Sequence, residues 1–202
     1  HSWASGFAQF HSGNNQESSS EAMNFASAMA LWGGVIGDDS IRDAGIYLHT
    51  TEKTAIQEYW FDVYKENLPE EMDAPNLGMV WGDGGAHATW FSAEPEYITL
   101  INALPLNGGS LYLGLNPDSI NETYEHMLQN NGGDLDNWQD LAWMYLSMAD
   151  PDRAIDYYES TPDYSAESGE SPAHTYHWLY NMQQLGQVDP NVTADTAFYS
   201  VF

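Results

Sequence analysis

Glu17 and Glu21 stand four residues apart in the run Asn14-Asn15-Gln16-Glu17-Ser18-Ser19-Ser20-Glu21. If a helix begins here, that spacing puts both carboxylates on one face. Two like charges so close push at least one carboxyl toward its protonated form, while a helix N-terminus pulls the other way. The pair is therefore a candidate for holding a carboxylate ready to activate water. The same run also reads as an ordinary helix start, rich in capping residues and acids, and spacing alone leaves both readings open.

Aromatic residues gather on either side of polar stretches. Trp3, Phe7, Phe10 and His11 precede the glutamates, and Trp81, His87, Trp90 and Phe91 surround the glycine-rich turn Gly82-Asp83-Gly84-Gly85. The flat apolar face of a pyranose stacks on such rings, while Asn, Gln, His and carboxylates bond its hydroxyls, so these residue types together fit a sugar site. Core packing is the alternative for any single ring. Trp3 is singled out here for the sugar role.

Other chemistries find little support. His174 and His177 lie three apart, and His1, His11 and His87 are scattered. Neither His-Glu-x-x-His nor Glu-x-x-His occurs, so no metal is expected. There is no Gly-x-Ser-x-Gly nucleophile elbow, and the turn at Gly82 lacks the lysine of a phosphate loop. The absence of cysteine removes thiolate nucleophiles, thiolate ligands and disulfides. No cofactor is implied.

The chain that must position these groups has 202 residues, with 30 acidic against 4 basic side chains and a net charge of -26. Such a field repels phosphate backbones and anionic headgroups, which argues against nucleic acid and membrane partners. No apolar run approaches the roughly 18 residues that would span a bilayer. A hydrophobic share of 43% with 14% aromatics predicts a folded core. The acid excess predicts a surface adapted to high salt, where counterions screen self-repulsion. The first residues themselves lack a basic-then-apolar signal pattern, and a start at His1 in place of Met predicts that something upstream has been removed.

Helical spacing dominates. From Ser18, the positions Ala22, Phe25, Met29, Trp32 and Ile36 recur every three or four residues and predict a helix with that face inward, ending near Gly37. A second helix is expected after Asp38, Asp39 and Ser40, with Ile41, Ala44, Leu48, Ala55, Ile56, Tyr59 and Val63 as its stripe before Pro69. The two form a helical hairpin. Residues 78–91 break the pattern and predict a short β-hairpin insertion at a site edge. Pro95, Pro117, Pro151 and Pro172 mark four further helix starts. Another helix is expected over roughly Leu135 to Met148, and a polar loop over Asp163 to Glu170.

His1-Ser2-Trp3-Ala4-Ser5-Gly6, followed by Gly13-Asn14-Asn15-Gln16-Glu17-Ser18-Ser19-Ser20-Glu21-Ala22, closely resembles the signature of glycoside hydrolase family 81. The likeness continues at His87-Ala88-Thr89-Trp90-Phe91, from Glu96-Tyr97-Ile98 to Leu104-Pro105, and at Ser171-Pro172-Ala173-His174-Thr175-Tyr176-His177-Trp178. The resemblance implies endo-hydrolysis of β-1,3-glucan of the laminarin or curdlan type, with inversion at the anomeric carbon. Glu17 matches the family's general base and Glu21 a supporting glutamate. The sugar-binding set expected from motif and composition together is His1, Trp3, Asn14, Asn15, Gln16, His87 and Trp90.

An inverting base and acid stand roughly 6.5–9.5 Å apart to admit water, so neighbours on one helix turn do not divide both roles. The family's general acid is an aspartate in a His-rich motif upstream of His-Ser-Trp. The resemblance therefore implies that residues 1–202 are the C-terminal part of an (α/α)6-barrel catalytic domain. The N-terminal β-sandwich, the first barrel helices and the acid would lie in a missing N-terminal part of the same protein. The expected fold class is mainly α, a partial (α/α)6 barrel of helical hairpins with the insertion near residues 78–91. Alone, such a segment is expected to leave apolar helix faces uncovered and to be inactive. Extracellular location follows from the polymeric substrate. A non-catalytic helical glycan-binding or scaffold fragment is the alternative.

Overall fold

A computed structural model describes residues 7, 8 and 10–188. Strand β1 (Asn15–Gln16) leads directly into helix α1 (Ser19–Ile36), which turns back as α2 (Asp39–Tyr59). Gly37 takes the left-handed conformation, φ 72°, that closes a helix without Cβ strain. Asp38 then caps α2 by accepting from the backbone N–H groups of Ser40 and Ile41 at 3.0 and 3.2 Å. The expected helical hairpin is thus made by adjacent stop and start signals.

The face that α1 turns inward differs from the expected one. Ser19, Ser20, Met23, Ala26, Ser27, Ala30 and Gly33 are buried, whereas Phe25, Trp32 and Ile36 are exposed. Small residues win because α1 and α2 meet almost backbone to backbone. A Cβ on Gly33 would lie 2.2 Å from the backbone nitrogen of Arg42, and one on Gly45 would lie 2.4 Å from that of Ala30. The large side chains therefore sit on the opposite face, together with Leu31, Val35, Tyr47 and Leu48, as an uncovered apolar surface.

Helix α2 stops at Tyr59, earlier than Pro69. Asp62, at φ 40°, is buried and accepts three backbone N–H groups, from Glu66, Asn67 and Leu68, at 2.9–3.0 Å. That side chain gathers the following loop into a compact turn. The chain then enters β2 (Met79–Trp81) and β3 (Gly84–Ala86), the expected β-hairpin. β1 joins it, giving a three-stranded antiparallel sheet in the order β1-β2-β3 with Asn15 opposite Trp81 and Gln16 opposite Val80.

Each of the four proline signals opens a helix: α3 (Pro95–Leu100), α4 (Pro117–Asn130), then, after an intervening helix, two more. That intervening helix is α5 (Gln139–Leu146), shorter than Leu135 to Met148, and α6 (Pro151–Ser160) and α7 (Pro172–Val188) follow it. A 3-10 segment, Gly108–Leu115, joins α3 to α4. The polar stretch Asp163 to Glu170 is a loop, as expected. From Asp140 to Leu146 every residue of α5 is buried, the pattern of a helix enclosed on all sides. Leu141, Met144, Tyr145 and Leu146 pack there with Leu100, Tyr124, Met127 and Leu179. The architecture is mainly helical, an array of hairpins of the kind that builds an (α/α)6 barrel.

Candidate active site

Glu17 occupies the single junction between β1 and α1, immediately before Ser18, the N-cap of α1. It therefore lies ahead of the helix, while Glu21 is in its first turn and exposed. The shared helix face expected for the two is corrected accordingly. Strand pairing of Asn15 and Gln16 to β2 fixes the direction in which Glu17 leaves the sheet.

Ser18 makes no side-chain cap hydrogen bond, so the start of α1 is satisfied from elsewhere. Asn102, fully buried beyond α3, supplies this. Its Oδ1 accepts the Ser19 N–H and the Ser19 hydroxyl, both at 2.9 Å, and its Nδ2 donates to the carbonyls of Leu77 and Gly78, both at 3.2 Å. One side chain ties the root of α1, two residues after Glu17, to the entry of β2. Sequence reading passed over Asn102, since no local motif marks a partner 83 residues away.

Glu17 is 9% exposed, and its Oε1 accepts the backbone N–H of Trp90 at 3.3 Å. Burial raises its proton affinity above the usual value of 4.5; the Trp90 N–H works against this and the charge of Glu21 adds to it. The residue that donates belongs to a cluster of three rings. Trp90 is exposed and its ring lies 5.4 Å from that of Trp81, edge to face. Phe10 touches both, with centroids 5.5 Å from Trp81 and 5.6 Å from Trp90. One hydrogen bond thus links a buried carboxylate to the backbone of a residue whose ring is partly exposed.

The remaining expected site residues divide. Trp90 sits at Glu17. Asn14 is half-buried, and its side-chain oxygen is buried and unbonded among the described residues. Gln16 reaches toward α2, its amide 3.5 Å from Glu52 Oε1. Asn15 is completely buried, its amide 3.5 Å from the sulfur of Met79. From there it helps to hold β1 on β2. His87 is turned to the carbonyl of Asn76, 2.8 Å away, and to the ring of His126 at 5.3 Å. His1 and Trp3 lie outside the described residues.

No group of three or more His, Asp or Glu side chains that could hold a metal occurs among the described residues. His174 lies on α7 beside Glu170, and His177 is exposed. Among the described residues no helix is long and apolar enough to cross a membrane. A separate cavity of about 440 Å³ opens between the loop after α2 and helix α4, lined by Asp62, Lys65, Glu122, Glu125 and His126 among others; neither Glu17 nor the tryptophans border it.

A helical array with a buried carboxylate tied to the backbone of an exposed tryptophan has residue types that suit a carbohydrate-active site. The model of the glycosyl hydrolase family 81 C-terminal domain matches residues 1–191. Glucan endo-1,3-beta-D-glucosidases from Thermobifida fusca and Acetivibrio thermocellus are 45% and 46% identical over the whole chain, which corresponds to 27% and 26% of their own lengths. A solved mutant of a family 81 glycoside hydrolase from Clostridium thermocellum (CtLam81A) superposes with a TM-score of 0.85 at 43% identity, over 91% of this chain and 26% of that one. The chain therefore belongs to glycoside hydrolase family 81, as its C-terminal domain. It spans about a quarter of the length of the relatives it matches.

Proposed function

We propose that this chain carries the base-bearing part of an endo-β-1,3-glucanase that acts on laminarin-like or curdlan-like glucan with inversion. Glu17 is the general base, taking a proton from the water that attacks the anomeric carbon, and Glu21 supports it. The observation that carries this reading is the position of Glu17 at the β1–α1 junction, sheltered from solvent and hydrogen-bonded to the backbone of Trp90, a residue whose side chain is exposed. Shelter raises the proton affinity of the carboxylate, which makes it a stronger base than a free glutamate.

The general acid belongs, in this reading, to another part of the whole protein, placed across the sugar at the distance an attacking water needs. Residues 1–202 are then the C-terminal part of the barrel domain, and the apolar face of Phe25, Trp32, Val35 and Ile36 is covered by upstream barrel helices. A polymeric substrate places the enzyme outside the cell, and the net charge of -26 suits it to concentrated salt.

Reducing-sugar release from laminarin tests the proposal, measured for this chain and for the chain extended upstream, each with Glu17 and with Glu17→Gln. Turnover is expected only in the extended protein with Glu17 intact. Binding without turnover in the extended protein would instead support the non-catalytic glycan-binding reading.

A further inference from the structure

The N–H that Glu17 accepts comes from a stretch with no ladder of its own. Residues 87–94, which include Trp90, belong to no helix or strand. Contacts with Phe10, Trp81 and Tyr97 leave the side chains of Trp90 and Phe91 53% and 57% exposed, so burial does little to fix the turn they make. Some other group must aim the Trp90 N–H at a carboxylate 73 residues away.

Both ends of the stretch are anchored. His87 Nδ1 donates to the Asn76 carbonyl at 2.8 Å, and the chain then passes Gly78 so closely that a Cβ there would lie 2.1 Å from the Ala88 oxygen. At the far end, Ser92 Oγ accepts the N–H of Glu94, the N-cap of α3, at 3.1 Å. Between these anchors one side chain folds the backbone. The Thr89 hydroxyl accepts the N–H groups of Phe91 and Ser92 at 3.4 and 2.9 Å and donates to the Ser92 carbonyl at 2.8 Å. One donor and two acceptors are all that a hydroxyl offers, and here all three are used. Such local side-chain bonds fold a turn onto itself. Of three successive N–H groups, two therefore face Thr89 and the first, that of Trp90, faces Glu17.

We infer that Thr89 is a positioning residue for the proposed base: its hydroxyl folds the turn that points the Trp90 N–H at Glu17 and thereby fixes the direction of that carboxylate. This rests on the reading of Glu17 as the general base. Burial and the charge of Glu21 raise the proton affinity of Glu17, and the Trp90 N–H opposes them. Without the Thr89 hydroxyl that opposition fails, so the base needs a higher pH to ionise and leaves its aligned position.

Rate profiles of laminarin hydrolysis against pH, taken on the upstream-extended protein, test this with Thr89→Val, which keeps the shape and loses the hydroxyl, and Thr89→Ser, which keeps the hydroxyl. For Thr89→Val, kcat is expected to fall about tenfold and the acid limb to move up by about one pH unit. Thr89→Ser should keep the parent's rate and profile. Should Thr89→Val fail to fold, Thr89→Ala removes the same hydroxyl with less bulk and repeats the comparison. A slower hydroxyl-free variant whose acid limb stays in place, or a Thr89→Ser protein as impaired as Thr89→Val, would overturn the positioning role. An unchanged Thr89→Val beside an inactive Glu17→Gln would remove Thr89 and leave the base reading standing. Parental turnover by Glu17→Gln would remove both.

Discussion

Asn102 Oδ1 accepts both the backbone N–H and the hydroxyl of Ser19, each at 2.9 Å, and so does for helix α1 what its own N-cap serine does not. Its amide spends its two donors on Leu77 and Gly78 carbonyls at the entry to β2. Asn102→Asp keeps the shape and the acceptors but loses both donors, leaving buried carbonyls facing a carboxylate. A destabilisation of at least about 1–3 kcal/mol is expected. Urea unfolding checks it, and an Asn102→Asp chain as stable as the parent would show that the bridge is idle.

Glu17 carries an expectation for pH. Its folded-state proton affinity is raised above the usual 4.5, chiefly by burial. The protonated form is therefore the one the fold prefers, and this contribution is complete below pH 4.5 and lost as pH rises through the higher folded value. Glu17→Gln should unfold with the same stability as the parent in acid and with greater stability at neutral pH. In the upstream-extended protein the same change should abolish most laminarin hydrolysis while changing affinity little. The acid limb of the parent's rate profile should lie above pH 4.5.

Asp62 has the opposite sign. Burial alone would raise its proton affinity, but the backbone N–H groups of Asn67, Leu68 and Glu66 together outweigh that and hold it below the usual 3.8. Its contribution is present above pH 3.8 and lost as pH falls through the lower folded value. Asn tolerates the left-handed backbone at this position, so Asp62→Asn removes the charge together with one of the two accepting oxygens while sparing the backbone. A loss of about 1–3 kcal/mol at neutral pH, shrinking in strong acid, is expected from denaturant curves at several pH values.

Two glycines on one helical hairpin should respond in opposite directions. Gly45→Ala gains helix propensity of about 1 kcal/mol, yet its Cβ would meet backbone atoms of Ala30 at 2.4 and 2.8 Å, which cannot yield cheaply. Overpacking of about 1–3 kcal/mol or more wins, and the melting point should fall. Gly34→Ala meets nothing within 4 Å and should raise it. Equal shifts for both would mean that the close α1–α2 crossing is wrong.

The surface charge sets a salt dependence. Arg42, Lys65 and Arg153, three of the 4 basic residues, already pair with carboxylates, which leaves most of the 30 acids to repel one another. Molar NaCl shortens the screening length from about 10 Å to about 3 Å, so the melting midpoint should rise between dilute and molar salt. A flat or falling midpoint in a thermal scan would count against salt adaptation.

Local chemistry made much of this protein legible from its residues alone. Proline at the first helical position marks α3, α4, α6 and α7, because its fixed φ and missing N–H cost nothing there. Gly37 and Asp38 mark the turn of the first hairpin, and the glycine-rich run marks the strand pair. The motif around Glu17 identifies the family through its residue types, without need of geometry. What tertiary structure decided is everything that depends on residues distant in sequence. Which face of α1 turns inward follows from the approach of α2 at Gly33 and Gly45, and it reverses the side that hydrophobicity alone selects. The burial of Asn15, the pairing of β1 with β2, the Asn102 bridge and the shelter over Glu17 are likewise contacts across tens of residues. Periodicity records only which positions share a face; what covers that face is settled when the chain closes on itself.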